Sequence, residues 1–343
     1  MTRKFIYLLI TAFLASCAGT SYDSVYPTLS DGKYDSEFPY RNCSDQLDDI
    51  YGSLVKLDVL VFYETYTFLP EQEVDISMVR RNKGMLKELA ASADIFSESV
   101  GGTALVIHYS EERFAALTCA HTVDYPDTVI TRFPYPDNNY IDLIGIKVRQ
   151  QNSIGKLQTD GNVEVVASDT RTDIAILGSA VEGKVQKDIH VFHYPLGDSQ
   201  ELEWGSFVYI MGFPMGHAMI TRGIVSDPER IRKGTFLIDA VFNQGFSGGP
   251  VLAVRDGVPN FEMVGMVRSS AATNKYYLAP EGDVTDHEMN LNKAYEGPIK
   301  LEKETDINYG ITFSVSSLAL RNFYKDNRAL LEENGYFLEG FFE

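Results

Sequence analysis

Short apolar runs separated by polar, glycine-containing turns dominate the chain from Leu54 to Val315. Leu54 to Phe62 is rich in β-branched and aromatic residues and is bounded by Gly52 and Pro70, which predicts a first strand. Gly102 to Ile107 and Phe114 to Ala120 predict two more, joined across Ser110-Glu111-Glu112. Ile144 to Arg149 and Val163 to Ala167 read as a hairpin around a polar turn that includes Asp160-Gly161. The acidic turn Asp169 to Asp173 then feeds the apolar strand Ile174 to Leu177. After a connector over 178–203, a second set follows: Phe207 to Gly212, Met219 to Ser226, Phe236 to Phe242, Val251 to Val254, Met263 to Val267 and Gly310 to Val315. Two such sets predict an all-β chain of two antiparallel barrels, each of about six strands.

Helical spacing interrupts this pattern twice. Met78, Met85, Leu86 and Leu89 predict a helix inserted between the early strands. Leu320, Phe323, Leu330 and Leu331 share a face of a C-terminal helix over 317–334, capped by Ser317 and ended by Gly335. Residues 273–307 are polar and acidic without periodicity, and predict a surface loop. The barrels then span about 54–180 and 204–316 of one domain over 46–343.

The N-terminus carries a different signal. Thr2-Arg3-Lys4 precedes the apolar run Phe5 to Ala15, which is shorter than the roughly 20 residues a bilayer needs. It reads as a secretory signal over 1–16. Leu14-Ala15-Ser16-Cys17 resembles the lipobox of bacterial lipoproteins, which implies cleavage before Cys17 and lipidation of Cys17. Ala18 suits sorting to the outer membrane, on its periplasmic side. An ordinary signal cut nearby, with Cys17 incidental, is the alternative. Residues 17–45 have no periodicity and predict a flexible tether lifting the domain off the membrane.

Composition narrows the partners. Hydrophobic and charged contents of 44% and 23% are ordinary for a globular protein, and the net charge of −18 argues against nucleic acid. An exported compartment permits a disulfide between Cys43 and Cys119, but Cys119 lies in an apolar run, which predicts a buried free thiol. His190 and His193 are the one histidine pair near ligand spacing and read as loop residues, so neither a metal nor a cofactor is expected.

The chemistry concentrates in Asn243-Gln244-Gly245-Phe246-Ser247-Gly248-Gly249-Pro250. Glycine two before the serine lets two backbone N–H groups converge beside the hydroxyl, where an acyl-transfer oxyanion would develop. A bare motif of this kind also suits a simple turn between strands. A serine needs a base, and the base an orienting acid. His121 follows Leu117-Thr118-Cys119-Ala120, and Asp173 precedes Ile174-Ala175-Ile176-Leu177, each at a strand end.

Taken together, Thr118-Cys119-Ala120-His121, Asp173-Ile174-Ala175-Ile176-Leu177 and Gly245 to Pro250 resemble the trypsin-like, chymotrypsin-fold serine peptidases of the HtrA/Deg branch. Gly212-Phe213-Pro214-Met215-Gly216, Thr221 to Ser226 and Gly310 to Phe313 extend the likeness across about 100–315. The resemblance implies His121 as general base, Asp173 as its orienting acid, Ser247 as nucleophile, and the N–H groups of Gly245 and Ser247 as the oxyanion hole. It implies polypeptide substrates and a possible homo-oligomer. Val241, six before the serine, would floor an apolar primary pocket, with Gly265 on the bordering strand. Phe246 departs from the small polar residue usual before the serine, and the residues after Val315 are too few for the PDZ domain usual in this branch. The expectation is a membrane-anchored endopeptidase acting on cell-envelope or misfolded proteins. The alternative is an inactive module that binds unfolded polypeptides.

Overall fold

The computed structural model describes residues 27–39, 41–81, 84–133, 139–155, 157, 163–181, 189–228, 233–280 and 299–343. The first β unit comprises β1 (Leu54–Thr67), β2 (Ser92–Tyr109), β3 (Arg113–Thr118), β4 (Thr128–Arg132), β5 (Ile141–Ile154), β6 (Glu164–Asp169) and β7 (Ile174–Ala180). They form one antiparallel sheet in the order β4-β5-β1-β2-β3-β7-β6. The second unit is a closed barrel of β8 (Phe207–Gly212), β9 (Met219–Asp227), β10 (Thr235–Asp239), β11 (Pro250–Val254), β12 (Phe261–Pro280) and β13 (Ile299–Ser316). The all-β, two-unit reading holds, with one difference: the first unit is a seven-stranded sheet with β4 and β6 as its edges. All five residues of β4 are exposed, so it carries no alternation from which a strand could be read.

Burial on both faces explains why the central strands are continuous apolar runs. On β3, Ala115 and Leu117 join the core shared with the second unit, while Phe114 and Ala116 face the core of the first. On β7 the same parity sends Ile174 and Ile176 one way and Ala175 and Leu177 the other. A third core fills the barrel, built around Phe236, Phe246 and Val251.

Short helices and one long one cover this β framework. Short helices α2 (Ile76–Arg81) and α3 (Leu86–Leu89) occupy the stretch expected to hold one helix, and bury Val79 and Leu86 against Tyr66, Phe68 and Ile144. The C-terminal helix α4 (Ser317–Glu333) is capped by Ser316, whose hydroxyl accepts from the N–H of Ala319, one residue earlier than Ser317. Leu320, Phe323 and Leu331 are buried on it, whereas Leu330 is exposed. Gly335 ends it at a φ of 82°.

A tether is expected over 17–45, but its described part, from residue 27 on, packs against the domain. Residues 1–26 lie outside the described residues, but Leu29, Tyr34, Asp35 and Cys43 are buried, and helix α1 begins at Ser44 (Ser44–Gly52). Tyr34 donates its hydroxyl proton to Glu262 at 2.6 Å, and the Arg255 guanidinium lies 4.1 Å from its ring centroid. The N–H of Asp35 donates to Val254 and its carbonyl accepts from Phe207, so this segment straps the barrel. Polar composition hid the strap because its contacts are hydrogen bonds and one buried ring.

Asp35 makes the strap sensitive to pH. Its Oδ2 accepts from the N–H of Gly257 at 3.0 Å, but Oδ1 is buried with no hydrogen-bond partner among the described residues. Burial raises its carboxyl from 3.8 to about 6. A folded state that holds this proton more tightly is favoured below the ordinary carboxylate range, and that advantage is lost as pH rises through about 6. The loss amounts to at most about 3 kcal/mol. Asp35→Asn is expected to flatten the melting temperature between about pH 4 and pH 8, where the parent falls. An unchanged slope in thermal melts would reject the assignment.

The stretch 273–307 is not a plain loop. Within its described part, β12 and β13 run past the barrel as a paired ribbon, from Ala271 opposite Asn308 to Pro280 opposite Ile299.

Candidate active site

His121 sits in a tight turn just past β3, where Thr122 donates its hydroxyl to the Cys119 carbonyl at 2.7 Å. Asp173 occupies the last turn position before β7, with a φ of 63°. That left-handed conformation suits Asp among non-glycine residues, and it aims the carboxylate back at β3. The His121 N–H donates to Oδ1 at 2.8 Å, and Nδ1 pairs with Oδ2 at 2.8 Å. A carboxylate only accepts, so the neutral ring carries its proton on Nδ1 and its lone pair on Nε2. The Asp173 side chain is 4% exposed and that of His121 46%, so the pair is anchored inside and open outside.

Ser247 lies in the loop before β11 and lines a cleft of about 540 Å³ together with His121 and Gly245. Three bonds set the shape of this loop. The Gln244 carbonyl accepts from Met215 at 3.0 Å, the Phe246 carbonyl from Gly249 at 2.8 Å, and the Ser247 carbonyl from Thr103 at 2.9 Å. Carbonyl and N–H point opposite ways across a trans peptide. The first two bonds therefore turn the N–H groups of Gly245 and Ser247 away from those contacts. Among the described residues neither donates to a protein acceptor.

Gly245 has a φ of 106°, and a Cβ there would lie 2.4 Å from the Phe213 carbonyl oxygen. Thr103, on β2 of the other unit, completes the support: its hydroxyl donates to the Gly245 carbonyl at 2.6 Å and accepts from the Phe213 N–H at 2.9 Å. Phe246 turns inward and is 1% exposed, packed with Phe242 in the barrel core. It anchors the loop by burial where a small polar residue would use hydrogen bonds. Burying such a ring contributes roughly 2–3 kcal/mol.

Two pocket residues fall elsewhere. Val241 is 55% exposed, because alternation along the extended chain buries Ala240 and Phe242 and turns Val241 outward. Phe242 and Gln244 line the cleft in its place, with Phe213 and Met215. Gly265 is a close-packing position on β12, where a Cβ would meet the Val315 carbonyl at 2.4 Å and the Phe236 ring at 2.7 Å.

Arg268 is a residue of this cleft that no motif in the sequence singles out. It stands on β12, and its Nε donates to Asp173 Oδ2 at 3.1 Å. The Ser247 hydroxyl donates to the Arg268 carbonyl at 3.1 Å. The available signal was a lone cation inside the apolar and small-residue run Met263 to Ala272, since a half-buried charge needs a partner.

The thiol of Cys119 is buried and donates to the Val267 carbonyl at 3.2 Å. Burial first, and then the Asp173 charge, push it well above the usual thiol range. Cys119, His121 and Asp173 offer ligand atoms within 4.8 Å of one another, but the thiol is neutral and the carboxylate already accepts from three donors. Cys43 and Cys119 are both free and buried. His193 pairs with Asp49 at 3.3 Å.

Comparison with known proteins bears on the same residues. The model of the trypsin-like peptidase domain matches residues 102–266. A probable periplasmic serine endoprotease, DegP-like, of Pseudomonas putida strain GB-1 is 31% identical over 137 residues, 38% of this chain and 27% of the relative. Its counterpart in strain W619 is 36% identical over 137 residues, with the same shares. The chain thus spans about a quarter of the length of these curated relatives. The serine endoprotease from Yersinia pestis superposes over 87% of this chain and 69% of its own, at 16% identity and a TM-score of 0.40. The segment 102–266 that matches the trypsin-like peptidase domain holds His121, Asp173 and the loop of Ser247 together.

Proposed function

We propose that this chain is an exported serine endopeptidase that hydrolyses peptide bonds through His121, Asp173 and Ser247. One observation carries the reading: a His121 ring oriented by a buried carboxylate shares its cleft with Ser247 and two unengaged backbone N–H groups. In the reaction, Ser247 Oγ bonds to the scissile carbonyl carbon while Nε2 of His121 takes the hydroxyl proton. The N–H groups of Gly245 and Ser247 receive the oxyanion. Collapse breaks the C–N bond, and the proton on His121 passes to the leaving amine, which leaves an acyl-enzyme. Water, deprotonated by His121, then releases the acid and restores the serine.

Phe213, Met215 and Phe242 give the cleft apolar walls, which suits an apolar substrate side chain. The relatives' names place them in the periplasm. With the signal over 1–16 and the lipobox at Cys17, this supports a lipid-anchored enzyme on the periplasmic side of the outer membrane, acting on envelope or misfolded proteins. One contact favours a second reading, a cleft that binds unfolded chains without cutting them: the Ser247 hydroxyl points to a carbonyl and not to the ring. Peptidyl fluorophosphonate labelling of the full chain separates the two, with Ser247→Ala as control. Labelling at Ser247, faster with apolar than with Arg-ended probes, is the expected result. A folded protein that takes no label at any pH would reject hydrolysis.

A further inference from the structure

Arg268 touches both ends of the candidate site. Its guanidinium donates to the same Asp173 oxygen that pairs with the His121 ring, and its carbonyl accepts the Ser247 hydroxyl. The Asp173 side chain is 4% exposed and that of Arg268 35%, so solvent screens this contact only from one side. A guanidinium stays charged throughout the range in which proteins remain folded.

We propose that Arg268 is a positioning residue that acts through Asp173 to set the lower pH bound of hydrolysis. The inference rests on reading His121, Asp173 and Ser247 as the reacting set. The orienting carboxylate has two effects: it holds the ring, and its charge stabilises the imidazolium formed as the serine attacks. Arg268 strengthens the first, since three donors now fix one carboxylate. It opposes the second, because a cation on the same oxygen offsets the field that favours a charged ring. Without Arg268 the full carboxylate charge would act on the ring and on the imidazolium formed in the reaction.

The other ionisable groups nearby do not supply this field. Cys119, packed beside Asp173, is held neutral by burial. Lys56 and Asp58 of β1 line the cleft paired to each other at 2.9 Å. Asp124 shares a recess with His121 and Arg268, and its charge works in the opposite direction. Among the described residues, Arg268 is the one cation bonded to Asp173.

Arg268→Gln removes the charge and keeps an N–H donor; Arg268→Lys keeps the charge. The acid limb of kcat/KM is expected to move up by about one pH unit in the glutamine variant and to stay near the parent in the lysine variant. The His121 ring C–H resonance, titrated in a Ser247→Ala background, should show the same displacement without any turnover. Arg268→Met, judged by the same titration, serves if the glutamine variant melts early. A contact that is only structural would lower kcat or melting temperature and leave both titrations in place. Unmoved titrations, or equal movement in the lysine variant, overturn the role of Arg268. A chain that takes no fluorophosphonate overturns the peptidase reading instead, and the ring titration still decides about Arg268.

Discussion

Ser247→Ala is expected to lower kcat by about 10⁶ while leaving the melting temperature near that of the parent. The size follows from the proposed chemistry: without Oγ no acyl-enzyme could form, and the residual rate would come from an oriented water and the N–H pair. The small effect on stability follows from the contacts. Ser247 Oγ makes one hydrogen bond, to the Arg268 carbonyl, and the loop is held by its backbone and by Phe246. Peptide cleavage assays with matched thermal melts check both halves. A loss below about tenfold would place the nucleophile elsewhere.

Gly245→Ala carries the second largest expectation, a fall in kcat of roughly 10²–10³ with KM little changed. A Cβ at 2.4 Å from the Phe213 carbonyl and 2.9 Å from Pro214 Cα cannot be accommodated in place. Both obstacles are backbone, so the loop itself must move. The φ of 106° adds strain for any L side chain. Movement of this residue breaks the Met215 bond to Gln244 and the Thr103 bond to Gly245, which together aim the N–H groups. Tighter binding of a peptide boronate to the parent than to the variant, with equal KM values, would locate the loss in the oxyanion contacts. Near-parental kcat would mean that these N–H groups are not the oxyanion donors.

Much of this architecture is legible in the sequence because most of the strands that carry the site are core strands. Phe207 to Gly212 is apolar throughout and buried throughout, so its limits coincide with those of β8. His121, Asp173 and Ser247 are legible for a different reason: each needs a particular backbone, and the neighbouring residues that provide it are local. What sequence reading missed is either long-range or solvated. Arg268 gains its meaning from a carboxylate 95 positions away. β4 and the first half of β2 are exposed on both faces, apolar residues such as Ile95, Phe96, Val129 and Ile130 included, so no burial pattern marks them as strands. Val241 shows a subtler limit. Counting back from the serine finds the right segment, but strand parity decides which residue faces the cleft.

The site has parts from both β units, and this bears on when it can exist as the chain is made. His121 and Asp173 are in place once the first sheet has formed, but alone they cannot cut anything. Ser247 arrives 74 positions after Asp173 (247 − 173), and Arg268 a further 21 (268 − 247). The strand that carries Arg268 then waits for β13 to close the barrel, and the shared core for Leu320, Phe323 and Phe342. If His121 and Ser247 act as proposed, a partly synthesised chain holds a base without a nucleophile. On the proposed reading, order of emergence alone would keep this centre silent until β13 and α4 have docked.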